Sequence, residues 1–241
     1  MAKTKIARII AKAKNMMERS TDPIHDVRHA ERVVQNVKRL SEDLKLNQEQ
    51  RHALILAAWW HDVSRTFTKK PSLVWMPLLD DLLSAFTLWI ETIRHGMFGS
   101  VVGMATRLIF CKSLGTGAIL THVLLQKKNR ILLDVLKDAD TLDMLHIERV
   151  EQVCSLVDRS SLYHLGYRVH CWWFLTSHQL EMRTTVAKKY FIIMMQEFIA
   201  WIKRQHIFAW HVQQYGQEWV QQKIYALEER LRRLEQETAH A

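Results

Sequence analysis

Apolar side chains recur at spacings of three and four residues along most of the chain, which is the period of an α-helix. Lys3–Glu18 is predicted to form the first helix. A second helix is predicted from Ile24 to Leu44, with Asp22 as its N-cap and Pro23 at its first position. Followed back towards the N-terminus, its apolar stripe comprises Leu44, Leu40, Val37, Val33, His29 and His25. The two histidines therefore extend the face that should be buried.

The third predicted helix starts at the N-cap Asn47 and ends at His61-Asp62-Val63. The apolar run Ala53–Trp60 precedes this pair, so His61 and Asp62 fall where the helix should be deepest in the protein. An ionised carboxylate buried there costs several kcal/mol unless it is paired or bound to a metal. We therefore expect other side chains to converge on His61 and Asp62.

The following segments continue the helical pattern. Ser64–Pro77 is polar and basic, and it is predicted to be a loop over the site. Leu78–Thr92 is predicted as a helix, and Gly96–Ser100 opens another. Gly115–Gly117 separates that helix from a short one that carries His122.

The helix predicted for Arg130–His146 has one acid in its apolar stripe. Asp140 shares a face with Leu136, whereas Asp138 and Asp143 fall further round the helix. An acid centred in an apolar stripe differs from the acids of a solvated face. Asp140 is therefore predicted to be the acid that points inward.

The C-terminal third is rich in aromatic residues and shows no clear chemistry. We predict a helical domain over residues 1–160 and a helical extension over 161–241. The last helix has an apolar seam at spacings of four and three, formed by Val220, Ile224, Leu227, Leu231 and Leu234. Because this seam covers barely two heptads, we expect the helix to pack on its own domain. A homodimer through this helix is the alternative.

Composition favours an all-α fold, because glycine (7) and proline (3) are scarce among the 241 residues. The three cysteines form no CxxC pair, which argues against a disulfide framework or a zinc ribbon and favours a reducing cytoplasm. No signal peptide is expected, because residues 1–20 lack a continuous apolar segment. No membrane span is expected either, because Asp80-Asp81 and Gln196-Glu197 interrupt the most apolar stretches.

The chain is basic, with 34 Lys+Arg against 25 Asp+Glu and a net charge of +9. This charge favours a substrate or partner that carries phosphate. Charge alone does not separate a nucleotide from a nucleic acid or an anionic membrane. A small phosphorylated molecule is the favoured partner, and nucleic acid is the less favoured one.

Three predicted helices supply inward-facing metal-binding residues, namely His29, His61 with Asp62, and Asp140. Imidazole and carboxylate ligands together suit divalent Mn, Mg, Fe, Co or Ni better than a metal that prefers thiolates. A divalent ion with open positions activates water and neutralises charge on a phosphoryl group. The sequence therefore predicts a divalent metal site.

Three segments of the chain resemble the HD-domain metal-dependent phosphohydrolase superfamily: His25–Val33, Ala57–Val63 and Leu136–Asp143. The resemblance covers about Ala13 to Arg149 and leaves out the C-terminal extension. It implies a helical bundle that binds a divalent metal through a histidine, a His-Asp pair and a final aspartate. The ligands it implies here are His29, His61, Asp62 and Asp140.

The same resemblance raises the question of two further histidines. Some members carry two between the His-Asp pair and the final aspartate, where they bind a second metal or protonate the leaving group. His122 sits at one expected place, and His95 is the candidate for the other. The alternatives are a core histidine at 122 and a surface loop residue at 95. Asp26 is either a helix N-terminal carboxylate or a partner that orients a ligand histidine.

Cations close to the motifs are candidates for phosphate binding. Arg32 lies one turn after His29, and Arg65 follows the His-Asp pair. Arginine suits bidentate phosphate contact, although a solvated face is the commoner role for such residues. Lys69 and Lys70 belong to the same basic segment. Trp59-Trp60 would stack a nucleobase or, more commonly, pack between helices.

The leading hypothesis is a metal-dependent phosphohydrolase, either a phosphomonoesterase or a phosphodiesterase, that acts on a nucleotide or related phosphate ester. Asp62 and His122 would be catalytic, the latter as the acid for the leaving oxygen. Arg32 and Arg65 would hold the phosphate. One alternative is a catalytically inactive HD-fold module that binds a nucleotide or nucleic acid. Another is a helical interaction protein with a structural metal.

Overall fold

A computed structural model describes residues 2–67, 76–113, 117–176 and 181–239. These residues form twelve α-helices and two short 3₁₀ helices, Val63–Phe67 and Lys127–Asn129, and no strand. The predicted all-α fold is confirmed. The helices are α1 Ala2–Met17, α2 Val27–Asp43, α3 Gln48–Trp60, α4 Met76–Arg94, α5 Ser100–Lys112, α6 Gly117–Leu124, α7 Arg130–Asp143, α8 Ile147–Val157, α9 Ser161–Thr176, α10 Thr185–Ile202, α11 Gln205–Tyr215 and α12 Gln217–Ala239.

Contacts divide the chain into two compact units, Met1–Asp140 and Thr141–Ala241. The predicted boundary between residues 160 and 161 stays a prediction from the sequence. In the first unit α3 is central, because α1, α2 and α5 all pack against it. Its side chains Leu54, Leu56 and Trp60 are fully buried. A helix surrounded in this way is apolar on all sides, which explains its uninterrupted apolar run.

Side-chain caps fix where α2 and α3 begin. Asn47 forms a capping box with Gln50, in which each side chain accepts the other residue's backbone N–H at 3.0 Å. The predicted cap of α3 is therefore confirmed. The predicted start of α2 at Ile24 was wrong by about one turn, because Asp26 rather than Asp22 caps the helix. Asp22 closes the turn before it and accepts the N–H of Ile24 at 2.9 Å.

The second unit contains α8 to α12, and α12 packs on α9, α10 and α11. The prediction that the last helix packs on its own domain is confirmed. Its residues Val220, Ile224 and Leu227 are buried, and two of them join Trp201 and Ile202 in one apolar cluster. A homodimer through α12 stays a prediction.

The segment predicted as a loop over the site is only partly described. Its start forms the 3₁₀ helix Val63–Phe67, and α4 begins at Met76. Residues 68–75, which include Lys69 and Lys70, lie outside the described residues, as do Gly115 and Thr116. Within the described ranges, no helix is both long and apolar enough to cross a membrane.

Candidate metal centre

Four side chains from α2, the C-terminal end of α3 and α7 bring their metal-binding atoms together. We call these residues, His29, His61, Asp62 and Asp140, the donor set. His29 Nε2 lies 3.2 Å from His61 Nε2, 3.2 Å from Asp62 Oδ2 and 3.5 Å from Asp140 Oδ1. His61 Nε2 lies 3.4 Å from Asp62 Oδ2 and 3.8 Å from Asp140 Oδ1. Asp62 Oδ2 and Asp140 Oδ1 therefore each lie close to both imidazoles, whereas the group whose ligand atoms all lie within 4.8 Å of one another is His29, His61 and Asp140.

These separations match the size of a small metal ion. Two ligand atoms that each lie about 2.1 Å from one ion are about 3.0 Å apart in an octahedral site and about 3.4 Å apart in a tetrahedral one. The measured range of 3.2–3.8 Å is close to both. The one group of at least three potential ligands found among the described residues, His29, His61 and Asp140, belongs to this set.

A backbone hydrogen bond sets the tautomer of His61. Its Nδ1–H donates to the Ala58 carbonyl at 2.8 Å, within the last turn of α3. In the neutral ring Nε2 then carries a lone pair directed at the other donor atoms, as metal ligation requires. His29 is fixed through its backbone, because Asp26 Oδ1 accepts its N–H at 3.0 Å. Asp26 is thus the helix N-cap and acts on His29 through the main chain.

Arg65 joins three carboxylates around Asp62. Its guanidinium lies 2.5 Å from Asp80 Oδ2, 3.3 Å from Asp22 Oδ2 and 3.8 Å from Asp62 Oδ1. Asp22 also lies 3.2 Å from His25 Nδ1. The side chain predicted to bind phosphate is therefore held by acids, one of which belongs to the donor set.

Lys112 holds the other acid of the donor set. Its Nζ lies 3.0 Å from Asp140 Oδ2 and 3.4 Å from Asp81 Oδ1. Asp140 thus presents Oδ1 to the two imidazoles and Oδ2 to the ammonium group. This division orients Asp140 as a ligand through one oxygen.

The site has more negative than positive charge. Arg65 and Lys112 supply two cations against five carboxylates, those of Asp22, Asp62, Asp80, Asp81 and Asp140. Burial lowers the pKa of His61, but the charges of Asp62 and Asp140 outweigh it and raise this pKa to about 9. Burial and the neighbouring charge of Asp62 raise the pKa of Asp80 to about 6, against the opposite effect of Arg65. The raised pKa of His61 reflects the negative charge around it, which a divalent cation would also offset.

Comparison with known proteins found no match to the chain. No family model matches the chain, and no curated protein or solved structure matches it either. The chemistry of the site must therefore be judged from its own geometry and charge.

The remaining predicted site residues lie outside the donor set. His122 is exposed on α6, with Nδ1 3.2 Å from Arg130 Nη2. His95 is half-buried just after α4, with Nε2 3.7 Å from Glu91 Oε2. Arg32 is buried on α2, one turn from His29. The roles assigned to these three residues stay predictions.

Sequence reasoning missed several charged residues that surround the donor set. Asp80 and Asp81 had been noted only as interruptions of an apolar stretch, and Lys112 had not been singled out. Such charges at inward positions of apolar helices are the signal that could have identified them. The expectation that Asp140 alone points inward on α7 was also wrong, because Asp138 and Asp143 are fully buried.

The tryptophan pair at the end of α3 packs inside the first unit. Trp60 is fully buried and Trp59 is 9% exposed. Neither ring therefore presents an open face to a nucleobase. This burial agrees with the packing role that was the more common alternative.

Proposed function

We propose that the chain is a metal-dependent phosphohydrolase that cleaves a phosphate ester of a small molecule such as a nucleotide. The observation that carries this proposal is the approach of the donor atoms to within 3.2–3.8 Å of His29 Nε2 and His61 Nε2. A mixed imidazole and carboxylate set suits divalent Mn, Mg, Fe, Co or Ni. The net charge of +9 also favours a phosphorylated substrate.

Three members of the donor set, His29, His61 and Asp140, have the mutual spacing that one divalent ion needs, and the tautomer of His61 and the excess of acids around the site also suit such an ion. When bound there, such an ion supplies positive charge that activates water and stabilises negative charge on phosphate oxygens. His61 offers Nε2, because its other ring nitrogen donates to Ala58. Asp140 offers Oδ1, because Lys112 occupies its Oδ2.

Arg65 has a positioning role in this proposal. Its contacts with Asp22 and Asp80 anchor the guanidinium beside Asp62. A carboxylate held in this way keeps its orientation when substrate binds. Arg32 remains the candidate for direct phosphate contact.

The proposed acid for the leaving group is His122, and this role has its own test. General acid catalysis matters most for a poor leaving group. His122→Ala should therefore slow hydrolysis of alkyl phosphates or nucleotides more than hydrolysis of p-nitrophenyl esters. An equal effect on both substrate types, or no effect, would remove His122 from catalysis.

The activity is tested by phosphate release with Mn²⁺ over nucleoside mono- and diphosphates, with a phosphatase-coupled assay for cyclic nucleotides. Wild type should turn over at least one class, and His61→Ala and Asp62→Ala should be inactive. His206→Ala, at an exposed histidine of α11, is the matched control. Bound metal without turnover of any class would favour the binding-module alternative. Full activity in either donor variant would contradict the proposed site.

A further inference from the structure

Helix α4 has its acids inside and its apolar side chains outside. Asp80, Asp81 and Glu91 are only 4–5% exposed. Five apolar side chains on the opposite face are 42–49% exposed: Leu79, Leu83, Phe86, Trp89 and Ile93. We call these five residues the α4 stripe. A helix that borders solvent normally shows the reverse arrangement.

Ion pairs fix the inward orientation of the acids. Asp80 pairs with Arg65 and Asp81 with Lys112, at the edge of the donor set. Glu91 Oε2 lies 2.5 Å from Lys12 Nζ. Rotation of α4 about its axis would bury the apolar face but would separate the acids from Arg65, Lys112 and Lys12. The apolar side chains therefore face outward because the acids are required inside.

The α4 stripe is long, continuous and free of exposed charge. It spans fifteen residues from Leu79 to Ile93, or about 21 Å of helix. Every exposed side chain within that span is apolar, and the half-buried ones are Leu82, Thr87 and Ile90. Its exposed area is about 500 Å², which is near the top of the range for the largest patch on a monomer. A continuous apolar patch of this size without exposed charge is a candidate interaction surface.

The spacing of the stripe is symmetric about Phe86. Leu83 and Trp89 lie three residues to either side, and Leu79 and Ile93 lie seven. Reversing the direction of the helix therefore reproduces the same pattern. A two-fold axis at Phe86 would therefore place each stripe residue opposite another stripe residue of the second copy, because residue i then contacts residue j while j contacts i.

We propose that α4 is a homodimer surface, where the helices of two copies pack antiparallel about a two-fold axis at Phe86. Leu79 then packs near Ile93 of the partner subunit, and Phe86 packs against its own counterpart. The absence of exposed charge between Leu79 and Ile93 means that no like charges meet across the axis. Two stripes bury about 1,000 Å² together, at the lower limit of specific interfaces. The dimer is therefore expected to dissociate on dilution.

Charge disfavours the other exposed apolar stripe, on α9, as the surface that pairs. Leu162, Leu165, Val169 and Trp172 are 53–58% exposed there. Exposed Arg168 lies among them. In a dimer that pairs α9 with α9, the two Arg168 side chains approach each other. In a dimer that pairs α9 with α4, Arg168 meets no exposed acid on the α4 stripe. Pairing of α4 with α4 avoids both the repulsion between two arginines and an arginine that faces an apolar surface.

Sedimentation velocity of the full chain over a concentration series tests the dimer. Wild type should sediment increasingly as a dimer at tens of micromolar and above. Phe86→Glu should weaken association at least tenfold, with unchanged helical content by circular dichroism. Phe98→Glu is the matched control, because Phe98 is 80% exposed and lies outside the stripe. A wild type that stays monomeric at 200 μM, or a dimer that survives Phe86→Glu, would overturn the proposal.

Cysteine crosslinking tests the position of the axis. Phe86→Cys should form a disulfide with its own counterpart under mild oxidation, whereas Phe98→Cys should match the wild-type background. Crosslinking of Phe86→Cys only with Trp172→Cys, in a mixture of the two variants, would show that α4 pairs with α9 and would contradict the two-fold arrangement. Peptide mapping separates these products from any that involve Cys154 or Cys171.

Discussion

Lys112 Nζ lies 3.0 Å from Oδ2 of Asp140, while Oδ1 of the same carboxylate lies 3.5 Å from His29 Nε2. The carboxylate of Asp140 thus connects the ammonium group of Lys112 to the histidines of the donor set. Because Lys112 also contacts Asp81, it neutralises two acids at once. The stability of the metal-free protein should depend on it.

Lys112→Met should lower the free energy of unfolding of the metal-free protein by about 3 kcal/mol, because it removes the ammonium group that pairs with buried Asp81 and partly buried Asp140. Mn²⁺ should stabilise this variant more than it stabilises wild type, since the ion neutralises the same acids. Urea denaturation with and without Mn²⁺ measures both effects. Lys128→Met, at an exposed lysine of the same unit, is the control. Equal stabilisation of both proteins by Mn²⁺ would contradict the role of Lys112.

Arg65→Lys should reduce kcat/KM about 10- to 100-fold and leave the metal content unchanged, provided that the chain is a phosphohydrolase. Lysine keeps the charge but lacks the planar group that spans Asp22, Asp62 and Asp80. Steady-state kinetics with elemental analysis of the same sample measures this. Arg94→Lys is the control, because the Arg94 side chain is 67% exposed. Unchanged kinetics in Arg65→Lys would remove Arg65 from the site.

Metal affinity should rise with pH, because a metal competes with a proton for His61. In the metal-free site burial lowers the pKa of His61, but the charges of Asp62 and Asp140 raise it by more than burial lowers it. The result is a pKa of about 9. The ring is therefore protonated at neutral pH, and metal binding must release that proton. Competition titration with Mn²⁺ should give an apparent affinity that increases several-fold per pH unit from 6.5 to 8.5. A flat profile would contradict this assignment.

The same shift predicts how the stability of the metal-free protein depends on pH. A histidine pKa raised by folding stabilises the folded state fully below its ordinary value of 6.5, and this contribution is lost as pH rises through about 9. Metal-free protein should therefore lose stability between about pH 6.5 and 9, and His61→Ala should lose less. Thermal unfolding at several pH values checks this. An equal loss in both proteins would assign the effect to other groups.

Periodicity predicted the helical fold and the inward faces of His29, His61 and Asp62, which tertiary packing buries. It did not predict the start of α2, since both Asp22 and Asp26 are good caps and only the folded turn selects one. It also could not place Asp80, Asp81 and Lys112 beside the ligands, because their partners come from other helices. Helical spacing gives the face of a residue, whereas ion pairs between helices depend on how those helices pack.

His95 and His122 also show that the sequence does not give distances between helices. Their order between the His-Asp pair and Asp140 made them candidates, yet order along the chain does not determine distance. In the described structure His95 contacts Glu91 and His122 contacts Arg130. The roles of His95 and His122 at the site therefore stay predictions.

Metal content after loading with Mn²⁺ and desalting tests the central claim most directly. Elemental analysis should find a stoichiometric amount of metal in wild type and in His206→Ala. It should find essentially none in His61→Ala or Asp62→Ala, when both variants retain their helical content. A wild type without metal, or metal retained by either variant, would contradict a metal centre formed by His29, His61, Asp62 and Asp140.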